Sequence, residues 1–240
     1  MKIKVFENKS ELARAAAGFI SQTVVDLGGP LGLATGSTTE PIYEILCGEF
    51  SLPKNLEMFA LDEYFEIDPD HPSSFQDTLD RQVVSPCGLD KTNLYLPPSS
   101  GTESEIEDFE SKLKSLGPVS LQILGIGRNA HIAFNEPGSE EDSITRKIKL
   151  SETTKQDNAK YFEGDMPEYA VTQGISTIMN AKKLLLVATG AAKAEAVASI
   201  FGEGKQNPAS MLSKHNDLTL MLDSEAASRI SESTIEKVGE

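Results

Sequence analysis

A chain of 240 residues with 39% apolar and 25% charged side chains is long enough for a substantial core and ordinary in composition for a globular protein. Its net charge of −15 makes nucleic acid a poor partner, because phosphate backbones need a basic face, and any phosphorylated ligand must be held by a few local donors. No apolar run approaches the roughly 18 residues that span a bilayer, and the opening MKIKVFENKSELARAAAG lacks the apolar stretch of a secretory leader. The expectation is a cytoplasmic protein, without membrane or nucleic-acid partners.

In chain order, the first predicted strand is Lys2–Phe6. A helix follows, with Asn8 as N-cap, Glu11 three residues on, and Leu12, Ala15, Ala16, Phe19 and Ile20 at helical spacing. The next strand, Leu31–Ala34, runs into Thr35-Gly36-Ser37-Thr38-Thr39. Glycine permits close backbone approach, and hydroxyls with free helix N–H groups form an anion site. The competing reading is a capping box, Ser37-x-x-Glu40, which needs no ligand. The loop matches neither a P-loop nor a dinucleotide turn. Cys47 and Cys87, without a CxxC pair or Cys/His cluster, argue against a disulfide scaffold or a structural zinc site.

A strand over Glu57–Leu61 delivers Asp62 just past its end, where partial desolvation suits a carboxylate to act as a base. Glu63 reads as a solvated neighbour. Ser85–Gly88 and Pro97–Gly101 read as short loops, and Ile106, Phe109, Leu113 and Leu116 as a helical stripe. Strand Leu121–Ile126 then enters GIGRNAHIAFNEPG, where two glycines end the strand and a turn gathers Asn129, His131 and Glu136. A histidine with such company can shuttle a proton near neutral pH; the bland alternative is a buried histidine bonded to backbone. His71 and His215 sit in loop-like surroundings.

Strand Leu184–Ala188 leads into VATGAAKAEAVASI, an echo of LATGSTTEPIYEIL. Two such turns at strand C-termini face one crevice, where open α/β sheets bind ligands. Lys193 opens the helix after Gly190, a placement that opposes the helix dipole unless an anion is bound. Val197, Ile200 and Phe201 continue that helix, Leu218–Leu222 is the last strand, and Ser224–Ile230 starts a final helix. The alternation predicts one α/β domain over residues 1–240, a doubly wound, mostly parallel, Rossmann-like sheet with helices on both faces. No GxSxG nucleophile and no HxH or HExxH metal spacing occurs. Asp62 and His131 therefore suggest proton transfer.

Taken together, LGLATGST, LDEY followed by HPSSF, LGIGRNAHIAFNEPGS, AVTQGIST and VATG-x-x-K-A resemble the glucosamine-6-phosphate deaminase family in order and spacing over nearly the whole chain. The resemblance implies conversion of glucosamine 6-phosphate and water to fructose 6-phosphate and ammonia, without metal or organic cofactor. It implies that Asp62 moves a proton between C2 and C1. His131 would assist ring opening, with Asn129 and Glu136 in support. Thr35, Gly36, Ser37 and Thr38 would hold the 6-phosphate, helped by Lys193 and Lys160. The chain departs from the family where Asn129-Ala130 replaces Asp-Gly, where Lys160 replaces Arg, and where Thr39 replaces a frequent Pro. The loop FEIDPDHPSSF after DEY also differs. The competing functions are the same chemistry on galactosamine 6-phosphate, a 6-phosphogluconolactonase, and a non-catalytic sugar-phosphate sensor. Monomer and homo-oligomer stay open, with the short C-terminal region leaning toward an unregulated enzyme.

Overall fold

The computed structural model describes residues 1–162, 165–202 and 207–239. Its strands are β1 (Lys2–Phe6), β2 (Leu31–Leu33), β3 (Met58–Ala60), β4 (Asp62–Tyr64), β5 (Leu94–Tyr95), β6 (Leu121–Leu124), β7 (Arg146–Lys149), β8 (Tyr169–Thr172), β9 (Leu184–Ala188) and β10 (Leu218–Asp223). Seven of them pair in parallel in the order β1-β10-β9-β6-β2-β3-β5. The central strands β6, β9 and β10 are buried at every position, as parallel strands covered by helices must be. Helices pack around this sheet, so the expected fold class holds.

The order contains a reversal. From β2 the chain runs outward through β3 to β5; from β6, beside β2, it runs the other way through β9 and β10. Such a switch point opens a crevice at the C-terminal ends of the strands. The turns after β2, β3, β6 and β9 all lie at that end.

Helix α1 (Lys9–Leu27) starts as its sequence predicts, with Asn8 Oδ1 accepting the Ser10 and Glu11 N–H groups at 3.0 Å. Helix α2 (Glu40–Glu49) follows β2, and α4 (Glu103–Ser115) buries Ile106, Phe109 and Leu113. The last helix is displaced from its expected start: 224–229 are turns, and the helix spans Glu232–Gly239. Ser224 to Arg229 carry too few apolar residues at helical spacing to hold one.

Besides the short edge strand β5, two larger features lie outside the sequence reading. The first is a small antiparallel sheet, β4-β8-β7, over its own cluster of Tyr64, Ile67, Phe134, Leu150 and Ala170. It is fastened to the large sheet by Gln173, whose N–H donates to Leu61 O and whose Nε2 donates to Ala60 O, each at 2.8 Å. The second is a disulfide between Cys47 on α2 and Cys87, 40 residues apart with Cα atoms 4.5 Å from each other. The expectation against a disulfide scaffold left this single bond unforeseen; spacing alone could not reveal a pair joined across the fold. Closing a loop of that length removes chain entropy from the unfolded state worth about 4 kcal/mol.

Candidate active site

The loop after β2 is stitched from beneath. Thr39 Oγ1 donates to Gly36 O at 3.0 Å and to Ala34 O at 3.2 Å, and the Tyr43 hydroxyl donates to Ala34 O at 2.7 Å. Gly36 has φ of 144°, a conformation that favours glycine. The expected capping box does not form: the N-cap of α2 is Thr39, and Ser37 stands exposed two residues earlier. Thr35 and Thr38 are half-buried. Thr38 Oγ1 lies 3.2 Å from Thr189 Oγ1, so the two Thr-Gly turns meet over the end of β6 as their echo predicts. The second turn is fixed by Asp223, whose carboxylate oxygens both accept the Gly190 N–H at 3.0 Å. Half-buried Lys193 closes the short helical turn that follows, Ala191–Lys193.

In the turn after β6 the His131 ring lies against the backbone of Gly127. A Cβ at Gly127 would stand 2.2 Å from the ring's Cε1 and 2.3 Å from both nitrogens. Only glycine fits there, which is the physical meaning of the second Gly in GIG. The turn closes through Ala130 N–H to Gly127 O and Gly127 N–H to His131 O, both 3.0 Å. Ala130 takes φ of +66°, the left-handed conformation that costs a residue with a Cβ roughly 1–2 kcal/mol. The departure from the family's glycine therefore keeps the turn at a local energetic cost.

Glu136 is the hub of this turn. Its Oε2 accepts Asn129 Nδ2 at 2.6 Å, its Oε1 accepts Ser151 Oγ at 2.8 Å and the Thr154 hydroxyl, and Oε1 stands 3.8 Å from His131 Nδ1. Asn129 reaches the His131 backbone N–H with its Oδ1 at 3.3 Å; Glu136 is the group that faces the ring. Ser151 is the N-cap of α5 (Glu152–Asn158). Neither Ser151 nor Thr154 was legible in the sequence, where LSETT reads as an ordinary helix start.

Asp62 stands just past the end of β3, as its sequence suggests, but in a further strand that the sequence does not announce. It begins β4, paired with Thr172 of β8. Thr172 Oγ1 in turn accepts the Phe134 N–H at 3.2 Å, so the Asp62 strand and the His131 turn are held by one intermediary. Asp62 is 8% exposed, and its pKa is pushed up to about 8, first by burial and then by the neighbouring negative charge of Glu63. Glu63 corrects the reading of a solvated neighbour: it is 2% exposed. Lys160 stands apart from the Gly36 loop, exposed on the turn Ala159–Tyr161 with its ammonium 4.8 Å over the Tyr161 ring. His71 Nδ1 accepts the Ser73 N–H, and His215 bridges Ala181 O and the Asp217 N–H; both tie loops together.

A buried carboxyl in a strand-end crevice, a histidine turn and two Thr-Gly turns, the first rich in hydroxyls and the second carrying Lys193, are the parts of a proton-transfer site for an anionic ligand. Residues 7–221 match the sequence pattern of the glucosamine-6-phosphate isomerases/6-phosphogluconolactonase family. The chain belongs to that family. It is 37% identical over 239 residues to a glucosamine-6-phosphate deaminase of Mycoplasma mycoides, covering 96% of this chain and 98% of that one. A glucosamine-6-phosphate deaminase of Rhodopirellula baltica is 40% identical over 235 residues, 92% of each chain. Among solved structures, a monomeric glucosamine-6-phosphate deaminase superposes with a TM-score of 0.91 at 35% identity, covering 95% of this chain and all of that one.

Proposed function

We propose that this chain is an enzyme that converts glucosamine 6-phosphate and water to fructose 6-phosphate and ammonia, with residues 1–240 working as one domain. The observation that carries the reading is Asp62, a carboxyl almost removed from solvent at the crevice end of the sheet, which accepts protons far more readily than a free aspartate. Binding a sugar phosphate needs no such base. Moving a proton off a carbon does.

In the proposed sequence, His131, kept in place by the Gly127 backbone and faced by Glu136, moves a proton from the anomeric hydroxyl to the ring oxygen and opens the ring. Asp62 takes the proton from C2 and returns it to C1. The resulting ketimine at C2 adds water and releases ammonia, which leaves fructose 6-phosphate. Thr35, Gly36, Ser37 and Thr38 hold the phosphate with Lys193, and Lys160 joins them only by leaving its place over the Tyr161 ring. Asn129 supports Glu136 and the His131 backbone. These assignments use neither metal nor organic cofactor.

A phosphorylated sugar is an ion that crosses no bilayer unaided, which supports a cytoplasmic site of action. The Cys47–Cys87 bond pulls the other way, since disulfides persist chiefly in oxidising compartments. The test of function is release of ammonia and fructose 6-phosphate from glucosamine 6-phosphate, with galactosamine 6-phosphate and 6-phosphogluconolactone alongside. Stoichiometric products from the first support the proposal; turnover of the epimer alone moves the substrate, and turnover of the lactone alone overturns the reaction.

A further inference from the structure

Glu63 carries no role in the sequence just given, yet it is among the most enclosed charged side chains of the protein. Neighbouring residues of a strand point to opposite faces, so Asp62 and Glu63 do not share a pocket. Behind the strand, Glu63 Oε1 accepts the N–H groups of Tyr64 at 2.9 Å and Phe75 at 3.0 Å, and Oε2 accepts the Gln76 N–H at 2.9 Å. Phe75 and Gln76 open the short helix α3 (Phe75–Leu79). The loop between β4 and α3 is thus drawn back onto the strand that bears Asp62. Phe75 in turn lays its ring 4.8 Å from Tyr64 and 5.9 Å from Phe134, the residue next but one before Glu136.

The donor set is specific to an anion. Three amide N–H groups converge on two oxygens, whereas a glutamine would offer one oxygen and turn an NH₂ toward an N–H. Among the described residues no lysine or arginine forms an ion pair with Glu63. The elements around it bring few charges: Val171 opposite it on β8 has none, α3 contributes backbone amides, and α4 presents Glu105, Asp108 and Lys112 to the cleft that Glu63 closes from within. The Lys112 ammonium is turned onto the Tyr95 ring, 4.7 Å away. On the Asp62 side the titratable neighbours are Glu63 and Tyr64, and the residue opposite, Thr172, is neutral.

Resting on the deaminase reading, we infer that Glu63 is a positioning residue of the reaction: its carboxylate pins the Phe75 and Gln76 amides to β4 and sets a fixed negative charge behind Asp62 that makes Asp62 a stronger base. Desolvation of Glu63 itself raises its proton affinity, and the three N–H bonds oppose that rise. Those bonds are what keep the charge in place.

The test is the pH dependence of kcat and kcat/KM for ammonia release from glucosamine 6-phosphate by the wild type, E63Q and E63D, with thermal melting as the check of folding. The wild type gains activity as pH rises through about 8. In E63Q this rise moves to lower pH by about half a unit or more, because a like charge next to the base is gone. Its kcat above the rise falls about tenfold or more, and KM stays within about threefold, since the phosphate loop lies elsewhere. E63D keeps the charge and the position of the rise but loses kcat, because the shorter side chain cannot reach all three amides. A folded E63Q with the wild-type pH profile overturns the inference while leaving the deaminase reading intact; a wild type that releases no ammonia overturns both. Should E63Q fail to fold, E63D decides: an unchanged kcat, or a rise displaced by about half a unit or more, contradicts the role given to Glu63.

Discussion

The protein sets carboxylates in its crevice in two opposite ways. Glu136 is surrounded by donors, from Asn129, Ser151 and Thr154, and faces His131. Asp62 is more enclosed, and the causes of its shift are burial and a second negative charge, with no hydrogen bond or cation among the described residues to oppose them. A carboxylate that accepts several hydrogen bonds is stabilised as an anion and serves to hold other groups. One that is desolvated beside a like charge is a base waiting for a proton. On the proposed reading the difference separates a holder from a reagent, a distinction that residue type alone does not make.

The largest effect expected from breaking this contrast is in D62N. It should lose at least about 10³-fold in kcat for deamination, the scale of a positioned general base, while phosphate-ester binding persists. The same variant sharpens the contrast through stability. Asp62 binds its proton more tightly in the folded chain (about 8) than the ordinary value of 3.8, so between those pH values the unfolded chain releases a proton that the folded chain keeps. Wild-type stability therefore falls as pH rises across that window and levels off above it. D62N lacks that slope. Thermal melts should match the wild type near pH 4 and exceed it by pH 9, by a margin on the order of a few kcal/mol.

E136Q is next in size. It keeps one oxygen for Asn129 or Ser151 and removes the anion facing His131, so kcat should fall by about 10- to 100-fold with melting lowered by about 1–2 kcal/mol. A larger loss from E136Q than from D62N would invert the assignment of holder and reagent. The smallest effect is A130G. Relief of a left-handed alanine outweighs the added freedom of glycine in the unfolded chain, so stability should rise by about 0.5–1 kcal/mol, read by denaturant titration, with little change in kcat.

The sequence makes one half of this arrangement legible. All of the large sheet but its edge strand β5 follows from its apolar runs, and the meeting of the two Thr-Gly turns, now seen at Thr38 and Thr189, follows from their echo. The histidine turn is legible as well, because two glycines and three polar residues fall within the twelve positions from Gly125 to Glu136. The small sheet is not. β4 is three residues long and follows β3 after a single residue, and β7, Arg146-Lys147-Ile148-Lys149, gains its strand character from pairing with β8. The same long-range pairing hides Glu63, whose partners at Phe75 and Gln76 lie a dozen residues away. Ser151 and Thr154 stay hidden because a helix N-terminus looks the same whether or not its hydroxyls also serve a distant carboxylate.

The account turns on Asp62 as the group that carries a proton from C2 to C1. The most direct measurement is the reaction, in ordinary water, of glucosamine 6-phosphate carrying deuterium at C2, following ammonia and deuterium at C1 of the fructose 6-phosphate formed, for the wild type and a folded D62N. The account predicts ammonia and C1-labelled product from the wild type and neither from D62N. Deamination by D62N at the wild-type rate would contradict it.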